Sequence, residues 1–459
     1  MCLPLDSDFG LPSKNHCRQL KSSLVQCGQL IPLGAGMRVL LISANRESIN
    51  MVALPLGLAF VAQAARQAGH EVEMLDLMRP ADHVQTLETT IHRCQPDVIG
   101  LSVRNIDDQN MAAPTFLLDQ AKEAVNLCRK LSDAPIVLGG AGYSIFPEAV
   151  LEYLDADMGI QGEGEAAFVE LLSRLETESD LDDLPGLYLP ESGLQAPRAY
   201  LPDLNAYWPD AEDWFAGVES RKEVLLPVQS RRGCPMKCAY CSTPKIEGTR
   251  IRKCSVESMA EYIKRQVDAG FRRIFFADNT FNLPPSFAKA LCRELIQRDV
   301  KFGWQAIVYP GQVDEELASL MARAGCFGVS LGAESGSARM LSGMGKRFTP
   351  DDIRVTRRWF GDHGVQVMGF LMFGMPGETR ETVQESLDFM ESLAPDALRI
   401  TLGVRIYPNT PLAETAVKWG IVSARNNLLR PTFFMQPGLK DWVEKTVRAW
   451  AQGRPYCIL

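Results

Sequence analysis

Arg231-Arg232-Gly233-Cys234-Pro235-Met236-Lys237-Cys238-Ala239-Tyr240-Cys241 places three cysteines in a Cys-x-x-x-Cys-x-x-Cys run. Thiolates at that spacing suit three corners of a cubic iron-sulfur cluster and leave its fourth iron open to a substrate or cofactor. Zinc usually takes four protein ligands, often from paired knuckles. Here no second pair accompanies the triplet: Cys254 stands alone, and His16, His70, His83, His92 and His363 all lie far from it in sequence. Twelve cysteines in 459 residues, with no signal peptide, do not make a disulfide scaffold. The run therefore points to catalysis.

Around the triplet, short apolar stretches alternate with helical ones. Strands are expected over 224–229, 273–278, 302–306, 328–332, 366–371 and 397–402, separated by helical stretches such as 255–268 and 314–324. Six such units form a partial barrel, with the cysteine loop after its first strand and the chemistry at the C-terminal ends of the strands. Upstream, strands are expected over 38–43, 71–76, 97–102, 135–139 and 157–161, with a helix over 56–68. That alternation predicts a doubly wound parallel sheet that binds ligands beyond its strand ends. Three loops there are unusual: Arg104-Asn105-Ile106-Asp107-Asp108-Gln109, Gly139-Gly140-Ala141-Gly142-Tyr143-Ser144 and Gly162-Glu163-Gly164-Glu165. Glycines admit a ligand close to the backbone, and polar groups offer it hydrogen bonds.

The expected organisation is an N-terminal extension over 1–36, a Rossmann-like α/β domain over 37–176 and a linker over 177–223. A partial (β/α)6 barrel over 224–418 and a C-terminal cap over 419–459 follow. Prolines interrupt the linker, with a short hairpin near Gly186-Leu187-Tyr188-Leu189. The cap carries Phe433, Phe434, Trp442, Trp450 and Tyr456, suited to packing on the barrel's open side or covering its mouth. Arg405, Tyr407 and Asn409, after the sixth strand, are candidates to face substrate, a structural salt bridge being the other reading of Arg405. Cys326 reads as a buried small residue, with radical quenching as its other reading.

With 48 basic and 56 acidic residues the chain has a formal charge of −8, which gives no support for a nucleic-acid groove. No apolar run is long enough to span a bilayer, and a reducing cytoplasm is the expected compartment.

The triplet, with aromatic Tyr240 before its last cysteine, resembles the signature of the radical S-adenosylmethionine (SAM) superfamily. The stretch from Leu40 to Leu172, with Pro55-Leu56-Gly57-Leu58-Ala59, Gly69-His70-Glu71-Val72 and the three loops above, resembles the cobalamin (B12)-binding domain that precedes many members. The resemblance implies a [4Fe-4S] cluster on Cys234, Cys238 and Cys241, with SAM chelated at the free iron and cleaved to a 5′-deoxyadenosyl radical. It implies SAM contacts at Tyr240 (through its backbone), Asp278, Asn279, Glu334, Ser335 and Gly374. Cobalamin contacts are implied at Arg104, Asn105, Asp107, Gly139, Gly140, Gly142, Gly162 and Glu163. The Asp-x-His-x-x-Gly motif that ligates cobalt in other cobalamin proteins is absent, and His70 reads as a turn residue.

The activity implied is methyl transfer to an unactivated carbon of a small molecule or peptide. The electron would come from an external donor of flavodoxin or ferredoxin type. The alternatives are non-methylating radical chemistry (cyclisation, rearrangement or aminocarboxypropyl transfer) and a non-catalytic corrinoid or metal carrier.

Overall fold

A computed structural model describes residues 36–47, 54–79, 81–210 and 221–459. The expected extension before Met37 lies outside them, apart from Gly36. From Met37 to Leu459 the chain forms one compact unit.

The first sheet contains β1 (Arg38–Ser43), β2 (Glu71–Asp76), β3 (Val98–Ser102), β4 (Ile136–Gly139) and β5 (Met158–Ile160), with β6 (Leu187–Leu189) and β7 (Gly193–Leu194) at its edge. Its order is β2-β1-β3-β4-β5-β6-β7. The first five strands pair in parallel, and β6 and β7 add antiparallel. Leu40, Leu41, Ile42, Ile99 and Val137 are buried, as expected of a parallel sheet covered on both faces. The hairpin expected in the linker is present, and it extends this sheet.

The second sheet follows chain order. It contains β8 (Leu225–Val228), then, past the short ribbon of β9 (Arg231–Arg232) and β10 (Arg252–Lys253), β11 (Arg273–Phe276), β12 (Gly303–Val308), β13 (Cys326–Glu334), β14 (Gln366–Phe373) and β15 (Ala397–Leu402). Each strand pairs in parallel with its neighbour. This is the expected open barrel of six strand–helix units. The helix Val256–Asp268 illustrates why: Ser255 caps it by accepting from the Ser258 amide, and Met259, Ile263 and Val267 at helical spacing bury one face.

The C-terminal segment divides. β16 (Val404–Arg405) pairs antiparallel with β17 (Phe433–Phe434), whereas β18 (Cys457–Ile458) extends the barrel sheet beside β15. Between them, the helix Lys440–Ala451 lays Trp442 and Trp450 against the barrel core.

The two sheets are not separately cored. One apolar cluster runs from Leu40, Ile99 and Leu138 of the first sheet to Met340, Met344, Met372, Val404 and Phe434 of the second half. Methionines suit such a seam because their flexible chains fill irregular gaps.

Candidate active site

The cysteine loop leaves β8 and is gripped from several sides. Behind it, the fully buried Asp278 accepts from the Ser230 amide at 2.8 Å, the Ser230 hydroxyl at 2.5 Å and the Arg231 amide at 3.1 Å. Burial pushes this carboxyl up to about 6, against the pull of those donors and of Arg231. Arg231 reaches the carbonyls of Leu283 at 2.6 Å and Gly233 at 2.7 Å. Arg232 turns the other way, to Glu165 of the first domain at 2.6 Å. Gly233 has φ +89°, and a β-carbon there would meet the Arg250 carbonyl oxygen at 2.1 Å. Only glycine fits.

Further along, the Cys234 amide donates to the Gly248 carbonyl at 3.0 Å and the Ala239 amide to the Met344 carbonyl at 3.0 Å. The Cys241 amide turns back to the Cys238 carbonyl at 3.2 Å. All three thiols are free. Among the described residues no three His, Cys, Asp or Glu side chains close on a single ion. The thiols nevertheless lie in one another's fields: Cys241 acts on Cys234, and both act on Cys238. Cys254 is no fourth ligand, because its thiol is buried against the Ser230 carbonyl at 3.1 Å. Three free thiols on a clamped loop, with no further cysteine at hand among the described residues, fit a cluster with one open iron.

At the C-terminal end of β13, Glu334 (φ +63°) receives the Tyr240 hydroxyl at 2.9 Å and Lys346 Nζ at 3.1 Å. For Lys346, burial favours loss of the proton, but Glu334, Tyr240 and Cys238 outweigh it and keep the ammonium charged. Tyr240 is pushed well above the usual phenol range by burial and by Glu334. Sequence reading missed Lys346, which lies in a short loop without a motif. It also assigned Tyr240 only a backbone role, whereas the hydroxyl is engaged here.

A second polar group surrounds Cys241. Its sulfur lies 3.3 Å from Thr243 Oγ1, which in turn lies 3.4 Å from Asn279 Oδ1. Asn279 Nδ2 donates to Glu247, whose carboxylate also accepts from the Gly233 amide at 3.0 Å and Gln229 at 2.9 Å. Asn279 thus lies beside the cysteines, while the oxygens of Asp278 are taken up by the loop behind them. Ser335 is buried and hydrogen-bonds Ser386 at 2.9 Å. The Gly374 amide donates to Glu378 at 3.2 Å. Tyr407 lies close enough for Cys241 and Arg405 to act on its phenol, which burial pushes up. Cys326 begins β13, at the end opposite Glu334, buried with its thiol toward the Gly328 carbonyl. This favours the reading of a small buried residue over radical quenching.

The first sheet's loops divide the expected cobalamin residues into two sets. Arg104 is accessible and has no ion-pair partner among the described residues, yet surrounding protein lowers its affinity for a proton. With Asn45, Asn105, Leu117 and Gln120 it lines a recess at the strand ends. Gly139 borders open space. These residues are left open at the strand ends of the first sheet.

The remaining residues are engaged elsewhere. Asp107 is ion-paired with Arg405 at 2.7 Å, both side chains almost wholly buried. This favours the structural-bridge reading of Arg405 and takes up the carboxylate of Asp107. Glu163 is likewise bound to Arg252 and the Leu201 amide. Its side chain serves the junction and is not free for a corrin. Gly140 and Gly142 are required by the β3 loop: β-carbons there would meet the Val103 carbonyl at 2.6 Å and the Arg104 carbonyl at 3.0 Å. The Gly162 amide donates to Ser144 Oγ at 2.9 Å. His70 accepts from the Met37 amide at 3.2 Å, at the far end of the strands, as a turn residue would.

Comparison with known proteins agrees with this layout. The family model described as the radical SAM superfamily matches residues 228–390, and the B12 binding domain matches residues 42–172. An uncharacterised methyltransferase of Pyrococcus horikoshii is 28% identical over 86% of this chain and 84% of its own length. The tryptophan 2-C-methyltransferase of Streptomyces laurentii is 27% identical over 81% of this chain and 73% of its own. Among solved structures, the radical SAM methyltransferase TsrM of Kitasatospora setae, with cobalamin and a [4Fe-4S] cluster bound, superposes with a TM-score of 0.81. It is 25% identical and covers 92% of this chain and 93% of its own. No described helix is long and apolar enough to cross a membrane. With both family models present in the same order and fused through one apolar seam, the chain belongs to the radical SAM superfamily, in the branch that carries a B12 binding domain.

Proposed function

We propose that this protein is a cobalamin-dependent radical SAM methyltransferase acting on an unactivated carbon of a small molecule or peptide. One observation carries the reading: the loop bearing the three cysteines is ion-paired to the B12-type domain through Arg232 and Glu165. The cysteine loop is thereby held against the B12-type domain. The cluster, when bound, supplies an electron that splits SAM to a 5′-deoxyadenosyl radical, and cobalamin supplies a methyl carrier.

The chain's own residues bind, orient and exclude water. Cys234, Cys238 and Cys241 would hold the cluster. Tyr240, Glu334 and Lys346, with Asn279 on the other side, would frame SAM. Ser335 and Gly374 would shape the wall behind it. Arg104, Asn105 and Gly139 would meet cobalamin, while Asp107, Gly140, Gly142, Gly162 and Glu163 set the loops that hold those three.

The test is direct. Anaerobically reconstituted protein with SAM and a reductant should release 5′-deoxyadenosine and pass labelled methyl to product, and the purified protein should show a corrinoid spectrum. Cys238→Ala should abolish SAM cleavage and leave corrin uptake intact. A corrinoid spectrum without 5′-deoxyadenosine would leave only a carrier.

A further inference from the structure

We propose that Tyr407 is a substrate-binding residue whose hydroxyl donates a hydrogen bond to a neutral carbonyl of the substrate, between the cysteine loop and the B12-type domain. The inference rests on the reading of those two regions as the cofactor sites. Tyr407 follows β16, and the turn it opens is fixed. The Thr410 hydroxyl donates to the Tyr407 carbonyl at 2.7 Å and caps the helix Pro411–Lys418 by accepting from the Ala413 amide at 3.2 Å. In that first turn the Leu412 amide donates at 3.0 Å to the carbonyl of Ala239, which lies between Cys238 and Tyr240. The segment carrying Tyr407 is therefore bonded directly to the cysteine loop.

The first sheet reaches the same residue from the other side. The Phe146 and Tyr407 rings lie 6.2 Å apart, and the Arg405 guanidinium stands 5.7 and 5.2 Å from their centroids. Phe146 directly follows the short helix Ala141–Ile145 of the Gly139–Ser144 loop, and that helix packs against Thr243–Glu247, just past Cys241. Tyr407 thus stands where the two loops converge, near enough to Cys241 for the thiol to act on its phenol.

The second observation is the state of the hydroxyl. The ring is half-buried in the apolar seam, where a tyrosine ordinarily finds a partner for its oxygen. Among the described residues this oxygen has none, yet it is not sealed in, as the hydroxyls of Tyr143 and Tyr262 are. The neighbouring phenol of Tyr240 is already spent on Glu334. A phenol is protonated at neutral pH, so Tyr407 has a donor to offer. The cation against its ring has no donor to spare for an anion: Arg405 places Nε on Asp107 and its amino groups on the Ile406 and Leu428 carbonyls. A neutral acceptor is the group that matches.

The experiment uses protein reconstituted with cluster, cobalamin and SAM, as wild type, Tyr407→Phe and Tyr262→Phe. The last is a control, because its hydroxyl is buried on the helix Val256–Asp268 behind the barrel. The probes are N-acetylphenylalaninamide, whose carbonyls are neutral, and N-acetylphenylalanine, which carries a carboxylate; both are titrated by ligand-observed NMR. A fourth sample carries 3-fluorotyrosine at position 407. We expect Tyr407→Phe to weaken amide binding about fivefold, the loss of one neutral hydrogen bond, with SAM affinity, corrin uptake and unfolding midpoint unchanged and the control like wild type. The carboxylate should bind no more tightly than the amide. The fluorine resonance should broaden when the cluster is loaded and shift with the amide. An unmoved resonance, amide binding equal in wild type and Tyr407→Phe, or preference for the carboxylate would overturn the assignment. So would a loss of SAM affinity in Tyr407→Phe, which would give the hydroxyl to SAM. Failure of the wild type to take up cluster or corrin would instead overturn the cofactor reading, and this one with it.

Discussion

Arg405 donates through Nε to Asp107 Oδ2 at 2.7 Å, a buried pair joining positions 298 residues apart in the chain. The rest of the guanidinium reaches the carbonyls of Ile406 at 2.7 Å and Leu428 at 2.9 Å. One side chain therefore ties the β3 loop of the first sheet to the segment after the last barrel strand. Asp107→Ala should strand a buried cation and destabilise the protein by about 3–5 kcal/mol, read by denaturant unfolding. Arg405→Lys should also be costly, because a point charge cannot reproduce the planar set of donors. Replacing both partners with apolar residues should recover part of the loss.

Gly233→Ala asks for a β-carbon where the Arg250 carbonyl already stands, at a left-handed backbone angle. Strain of about 1–3 kcal/mol at one such residue must be relieved by moving the loop that carries Cys234. Iron and sulfide bound per chain after anaerobic reconstitution should fall severalfold, with circular dichroism unchanged.

Lys346→Met removes the cation shared by Glu334, Tyr240 and Cys238. Withdrawing positive charge from beside a ligand thiolate disfavours the reduced cluster. The midpoint potential should become more negative by on the order of 60 mV, about one tenfold step for a one-electron couple. Lys346→Arg should restore most of the difference in spectroelectrochemical titration.

Asp278 binds its proton more tightly in the folded chain than in the unfolded one, because burial outweighs its hydrogen bonds. Its folded value, raised from 3.8 to about 6, makes its contribution to stability fullest below the unfolded value. That contribution is lost as pH rises through the folded one. Between about pH 4 and pH 6, wild-type stability should therefore fall relative to Asp278→Asn, by up to about 3 kcal/mol. Unfolding midpoints of the two proteins across that range provide the check.

Local pattern made much of the fold legible. Strands such as Arg38–Ser43, Glu71–Asp76 and Ala397–Leu402 coincide with their expected bounds, since continuous apolar runs between helical periods leave few other readings. Contacts between distant residues were not legible in the same way. Asp107 and Glu163 sit in loops with the composition of ligand loops, yet their carboxylates are neutralised by Arg405 and Arg252, which no spacing rule connects to them. Lys346 escaped notice because its importance comes from lying beside Cys238 and Glu334.

By itself the sequence determined the spacing of three thiols and the order of their supports: a doubly wound sheet before them and strand–helix units around them. Those features are local, set by residue spacing and hydrophobic period. Only the tertiary structure decided which polar residues stay open to a ligand, as Arg104 and Asn105 do, and which are spent holding the halves together. A charge buried at a junction must find its partner there, and that partner is supplied by the folded chain rather than by its neighbours in sequence.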